Sequence, residues 1–221
     1  MKKTPLIILL TSFFLFVLTS LAVSFYAIKS RTLVKISEPL AVHPLQKQML
    51  SANLFPESNF IGPIKLIDHN NQAMTSLIGR WHLVFIGYTH CPDICPVEMQ
   101  VLKKAYQGLS QSIKSQLQVL FISADPARDT TDVLSKYVNY FDHSFIGVTG
   151  EMTDLVDASR KLGLLFIPID EMKKKQPNYQ VNHSATFVLT DAQGRLVAKF
   201  FTPHKVESLI KDGWITADIP K

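Results

Sequence analysis

Short apolar strands alternate with segments of helical period through the middle of the chain, and no other feature restricts the fold as much. His82 to Tyr88 (HLVFIGY) is apolar at successive positions, as in a strand covered on both faces. Cys95 to Leu109 then sets Val97, Met99, Val101, Leu102, Ala105 and Leu109 at helical spacing. Leu117 to Ser123 (LQVLFIS) reads as a second buried strand. Thr130 to Phe141 reads as a helix capped by Asp129 or Thr130. Phe145 to Val148 is a third strand, and Glu151 to Leu162 a helix stopped by Gly163. Beyond these, Ala185–Thr190 and Arg195–Phe201 flank Asp191-Ala192-Gln193-Gly194, a hairpin signal, and a last helix is expected over Val206–Lys211. Gly62–Ile67 with the turn Asp68-His69-Asn70-Asn71 suggests a leading strand or hairpin. The order predicts an α/β fold, a mixed sheet flanked by helices.

The start of the chain is different. Pro5 to Ile28 is a run of 24 residues without a charge, enough at about 1.5 Å per residue to cross a bilayer core. Ser20-Leu21-Ala22 offers the small residues of a signal-peptidase site, but apolarity continues through Val23, Phe25, Tyr26 and Ile28. An uncleaved N-terminal transmembrane helix is therefore expected. Lys2 and Lys3 before the run nearly balance Lys29, Arg31 and Lys35 after it, so charge alone does not orient it. The start Met-Lys-Lys-Thr lacks an Arg-rich transit peptide and reads as bacterial. The expected organisation is a bacterial membrane anchor over 1–29, a linker over 30–59 with one short helix around Leu45–Leu50, and an exported domain over 60–221. The net charge of +5 comes from the five basic residues of the first 37, which include no acid; the rest of the chain is balanced. That distribution argues against a nucleic-acid surface.

Only two cysteines are present, Cys91 and Cys95, too few for a disulfide framework or a four-cysteine zinc site. They lie in Gly87-Tyr88-Thr89-His90-Cys91-Pro92-Asp93-Ile94-Cys95-Pro96, where a central strand ends and a helix begins, an edge that favours ligands in α/β sheets. Helix N-terminal amides are expected to ease thiol ionisation there. A thiolate is both the nucleophile of disulfide exchange and a soft ligand for copper(I). The C-x3-C spacing lets two sulfurs converge on one metal, and the same pair can close a redox-active disulfide. His183, in Val181-Asn182-His183-Ser184-Ala185-Thr186, stands before the C-terminal hairpin. In thioredoxins the loop at this topological point carries a proline that touches the dithiol; here a histidine stands there instead. Two thiolates and an imidazole suit copper in either oxidation state. Asp93 and His90 are left outside this site, Asp125 and Asp129 are read as a turn and a helix cap, and Tyr88 and Phe166 as walls of the site or core residues.

At these residues the chain resembles the Sco (SenC) family. The matching stretches are GYTHCPDICPVEM (87–99), ISADPARDTTDVLSKYV (122–138), FIGVTG (145–150) and NHSATFVLTDAQGRLV (182–197), within a resemblance spanning about Phe60 to Asp212. It implies a thioredoxin-like fold and copper ligation by Cys91, Cys95 and His183. It also implies a role in maturing the CuA centre on subunit II of cytochrome c oxidase, with the anchor in the bacterial inner membrane and the domain on the periplasmic side. A thioredoxin-like reductant is a further expected partner. Asn182 replaces the Asp often found before the histidine, and Ala124 a common Val. The leading function is a copper chaperone, which is not an enzyme. The alternative is a thiol-disulfide oxidoreductase that reduces the cysteines of the oxidase subunit or of other exported proteins, which needs Cys91 and Cys95 but not His183. A peroxiredoxin-type peroxidase ranks last, because no suitably spaced proline and threonine precede Cys91.

Overall fold

Trp81–Gly87 (β4) and Leu117–Ser123 (β5) are the two most apolar runs of the middle segment, and they lie side by side as parallel strands. Both are almost wholly buried, as strands covered by helices must be. The computed structural model describes residues 19–20, 50–170, 172, 175–176 and 178–217. The chain divides into two units, Met1–Ala41 and Val42–Lys221, and the elements below belong to the second.

In chain order these are β1 (Ala52–Phe60), β2 (Leu66–Asp68), β3 (Ala73–Met74), β4, α1 (Ile94–Gly108), α2 (Gln111–Lys114), β5, α3 (Thr131–Phe141), β6 (Ile146–Thr149), α4 (Met152–Lys161), β7 (Phe187–Thr190), β8 (Arg195–Phe200) and α5 (Val206–Ala217). One mixed sheet has the order β1-β8-β7-β4-β5-β6-β2-β3. The strands β4, β5 and β6 are parallel, each pair joined through helix, while β7 and β8 form an antiparallel hairpin on the other side of β4. The mixed α/β plan read from the sequence is the observed one. Thr130 caps α3, its hydroxyl accepting from the Val133 N–H at 3.3 Å. Gly194 closes the β7–β8 hairpin with φ of 73°, a region that favours glycine. The Asp191 carboxylate secures the same turn by accepting from the Gln193 and Arg195 N–H groups. The last helix runs to Ala217, six residues beyond its expected end.

The linker expected over 30–59 is corrected at its end. Residues 52–60 form β1, which pairs antiparallel with β8. The Asp212 carboxylate accepts from the backbone N–H groups of Leu50, Ser51 and Ala52 at 2.7–2.9 Å, fastening the start of β1 to α5. Ala52 and Leu54 are buried. The strand was hidden by Pro56 and by four polar residues, which a sheet edge tolerates where a centre would not; the register shifts between Leu54 and Asn59. The expected short helix around Leu45–Leu50 lies outside the described residues except for Leu50, which is in a bend. The apolar run Pro5–Ile28 also lies outside them, apart from Thr19 and Ser20. Among the described residues no helix is long and apolar enough to cross a membrane.

Candidate metal centre

Strand register brings the distant histidine to the cysteines. In the antiparallel β4–β7 pair Phe85 faces Phe187 and Val84 faces Val188. The end of β4 therefore lies beside the start of β7, and the loop leaving β4 toward Cys91 passes the segment that enters β7 from His183. Both lie at the carboxyl edge of the parallel strands, the edge singled out from the sequence. Cys95 is the second residue of α1 and fully buried; Cys91 lies in the preceding loop and is half-buried.

The three sequence-predicted ligands come together. One ligand atom from each of Cys91, Cys95 and His183 lies within 4.8 Å of the others. Cys95 Sγ is 3.2 Å from His183 Nε2. His183 Nδ1 is 3.2 Å from the Ser184 carbonyl oxygen, which can only accept; that contact places the ring proton on Nδ1 and leaves the Nε2 lone pair aimed at the sulfurs. Both thiols are free.

The imidazole is held on several sides. Tyr88 and Phe85 meet it edge-on, with centroids at 5.8 and 6.0 Å. Its backbone bridges to Phe166, and the neighbouring bonds Ile167 N–H to Asn182 O (2.8 Å) and Ser184 N–H to Leu165 O (2.7 Å) continue that ladder. Tyr88 is thus a wall of the site, while Phe166 supports the histidine through its backbone. Burial pushes the His183 imidazole below its ordinary pKa, which favours the neutral form a metal requires. Asn182 is exposed.

The expectation that the helix tip lowers the thiol pKa is corrected for Cys95. Desolvation pushes its pKa well above the ordinary thiol value, and a hydrogen bond from the Tyr88 backbone offsets only part of this. Cys95 is a buried thiol that becomes a thiolate when a cation supplies the compensating charge.

Two carboxylates read as turn and cap residues have larger roles. Asp129 is fully buried and accepts from the Thr89 N–H, the Thr89 hydroxyl (2.6 Å) and the Ser123 hydroxyl (2.7 Å). It ties the loop that carries Cys91 to the end of β5; the cap of α3 is Thr130 alone. Burial holds its carboxyl above the usual range against those hydrogen bonds. Asp125 pairs with Arg128 and accepts from the Tyr179 hydroxyl at 2.7 Å, and Arg128 lies over the Tyr179 ring at 3.5 Å. Neither role had a sequence signal beyond the presence of an acid in a loop. His90 is exposed and its Nδ1 contacts the Thr89 hydroxyl at 3.0 Å; Asp93 is exposed and makes no side-chain cap bond.

Two thiols and a neutral imidazole facing one point form a donor set for a soft or borderline cation, copper(I), copper(II) or zinc. The comparisons narrow this choice. The SCO1/SenC family model matches residues 53–213. A protein of Stutzerimonas stutzeri named for copper binding is 38% identical over 158 residues, covering 71% of this chain and 76% of its own length. Mitochondrial SCO1 of Saccharomyces cerevisiae is 34% identical over 154 residues, 69% of this chain but 52% of the yeast protein, so this chain spans about half of that relative. The copper-bound structure of Arabidopsis thaliana ScoI superposes with a TM-score of 0.61 at 32% identity, covering 70% of this chain and 95% of that one. Copper-bound yeast Sco1 gives 0.65 at 31% identity, covering 72% and 90%. With a family model covering most of the described fold, and the cysteine pair and histidine converging within it, this chain belongs to the SCO1/SenC family.

Proposed function

We propose that this chain binds one copper ion through Cys91, Cys95 and His183 and hands it to the CuA site on subunit II of cytochrome c oxidase. The observation that carries the reading is the convergence of two sulfurs and a ring nitrogen of His183 within 4.8 Å. Copper is the cargo, held as a soft cation by thiolate and imidazole. Cys95, which is buried, and His183, which is half-buried and braced by Tyr88, Phe85 and its bridge to Phe166, already stand 3.2 Å apart and supply the fixed half of the site. Cys91 is half-buried on a loop and supplies the half that an incoming ligand can reach. The copper-bound relatives support copper over zinc. The uncharged run Pro5–Ile28 supports a single-pass anchor, and membership of the SCO1/SenC family supports placing that anchor in the bacterial inner membrane with the copper domain on the periplasmic side.

A second reading follows from the same two thiols. A half-exposed cysteine beside a buried one is the arrangement of an attacking and a resolving thiol. In that role Cys91 and Cys95 close a disulfide while the disulfide of the oxidase subunit opens to two thiols, and a thioredoxin-like reductant restores the pair. The readings separate on His183. Full-length wild type, Cys91→Ser and His183→Ala are compared for copper delivery to the metal-free CuA domain and for reduction of that domain's disulfide. Copper transfer predicts that both variants lose delivery. Reduction lost in Cys91→Ser but kept in His183→Ala, with no copper delivered by the wild type, supports the reductant reading and overturns the chaperone.

A further inference from the structure

One turn beyond Cys95, α1 directs a carboxylate into the core. Its buried residues are Cys95, Glu98, Met99, Leu102 and Ala105, of which Glu98 alone carries a carboxylate. The partner is His204, in the segment between β8 and α5. Glu98 Oε2 is 2.7 Å from His204 Nδ1, and His204 Nε2 is 2.9 Å from the Phe200 carbonyl oxygen. The His204 side chain has no exposed surface, and that of Glu98 is 6% exposed. Both ring nitrogens face oxygen, so a proton lies between Nδ1 and Oε2, whichever group carries it. Burying such a pair stabilises a core no better than apolar packing of the same volume, but it fixes a direction that apolar packing does not.

The pair connects to Cys95 along α1 and to His183 through two aromatic rings. Glu98 is three residues from Cys95 on the same helical turn. His204 lies flat on Phe187, with centroids 3.9 Å apart and planes at 13°. Phe187 meets Phe85 edge-on at 5.3 Å, and Phe85 meets His183 at 6.0 Å. We infer that Glu98 and His204 are positioning residues for the metal centre: their hydrogen bond sets the first turn of α1, and with it the Cys95 sulfur, against the aromatic stack that backs His183. This rests on reading Cys91, Cys95 and His183 as the copper site.

The test uses the full-length reduced protein. Glu98→Met with His204→Phe refills the core without the hydrogen bond, and Glu98→Gln keeps an oxygen acceptor for His204. With the double variant unfolding in urea near the wild-type midpoint, Cys95 in the metal-free protein should alkylate about tenfold faster. Its copper(I) affinity should fall about tenfold or more, with an altered copper(II) spectrum. Glu98→Gln should stay close to wild type in all three. A stable double variant with wild-type Cys95 alkylation and wild-type copper affinity overturns the inference. Should the double variant not fold, the wild type decides: the His204 imidazole resonances should shift on copper loading, and unmoved resonances overturn it. A wild type that takes up no copper sinks the metal reading separately, while the alkylation comparison in metal-free protein still decides the positioning role.

Discussion

Replacing Gly87 with alanine adds one methyl group to the end of β4, where it meets the site directly. An ideal Cβ there would lie 2.7 Å from Cys95 Sγ and 2.9 and 3.2 Å from two atoms of the Phe121 ring. Ordinary contact between such atoms needs about 3.5–4.0 Å, so the sulfur or the strand must move by about 1 Å. Gly87 does not have positive φ, which leaves the clash as the whole perturbation. Neither neighbour gives way cheaply: Cys95 and Phe121 are fully buried. Overpacking of this kind costs about 1–3 kcal/mol of stability. A binding constellation tolerates displacements of about 0.5 Å, so copper(I) affinity should drop by about ten- to a hundredfold. The assay pairs urea unfolding of the metal-free protein with copper(I) competition against a chelator. Gly147→Ala is the control: its Cβ would lie 2.9 Å from Leu134 Cβ, under α3, so it should destabilise the fold while leaving copper affinity intact. Wild-type copper affinity in Gly87→Ala, or an equal loss in Gly147→Ala, would refute the placement of Cys95 beneath β4.

Other expectations concern groups around the site and the core. Asp129→Ala removes a buried acceptor from Thr89 and Ser123 and should cost about 3 kcal/mol in urea unfolding; a change under about 0.5 kcal/mol contradicts its role as the loop anchor. In metal-free reduced protein at neutral pH, iodoacetamide should modify Cys91 well before Cys95, because Cys95 is buried and its pKa raised; peptide mapping that finds Cys95 modified first contradicts this. Burial, with Arg80 adding to it, holds the His82 imidazole down at about 4 from an ordinary 6.5. The unfolded chain therefore binds a proton more readily than the native one. The contribution is complete above about pH 6.5 and is lost as pH falls toward 4, by about 3 kcal/mol. The stability difference between wild type and His82→Gln should narrow or reverse over that interval, and a pH-independent difference contradicts the assignment.

Local pattern made the centre of the fold legible. The runs His82–Tyr88 and Leu117–Ser123 are apolar over a length too short for a helix, and the Gly194 turn announces its hairpin. The convergence of Cys91, Cys95 and His183 was legible for a related reason: cysteines at a strand-to-helix junction and a histidine before a strand come near each other when those two strands are antiparallel neighbours, as β4 and β7 are. What escaped was long-range and polar. β1 gains its order from the edge of β8 and from Asp212, 160 residues away from Ala52, and no window of sequence contains that information. Asp129 looked like a helix cap because the distance to Thr89 is fixed by β5 rather than by the local chain. His204 and Glu98 are 106 positions apart and each alone resembles a surface residue. The Cys95 pKa was misjudged because the helix tip is visible in a sequence and depth of burial is not.

The most direct test of the account is X-ray absorption of the full-length protein reduced, loaded with one equivalent of copper(I), and compared with His183→Ala. The account predicts two sulfur donors and one imidazole nitrogen in the wild type, and loss of the imidazole scattering in the variant with both sulfurs retained. A wild-type spectrum that shows sulfur alone, or one that His183→Ala leaves unchanged, would contradict it.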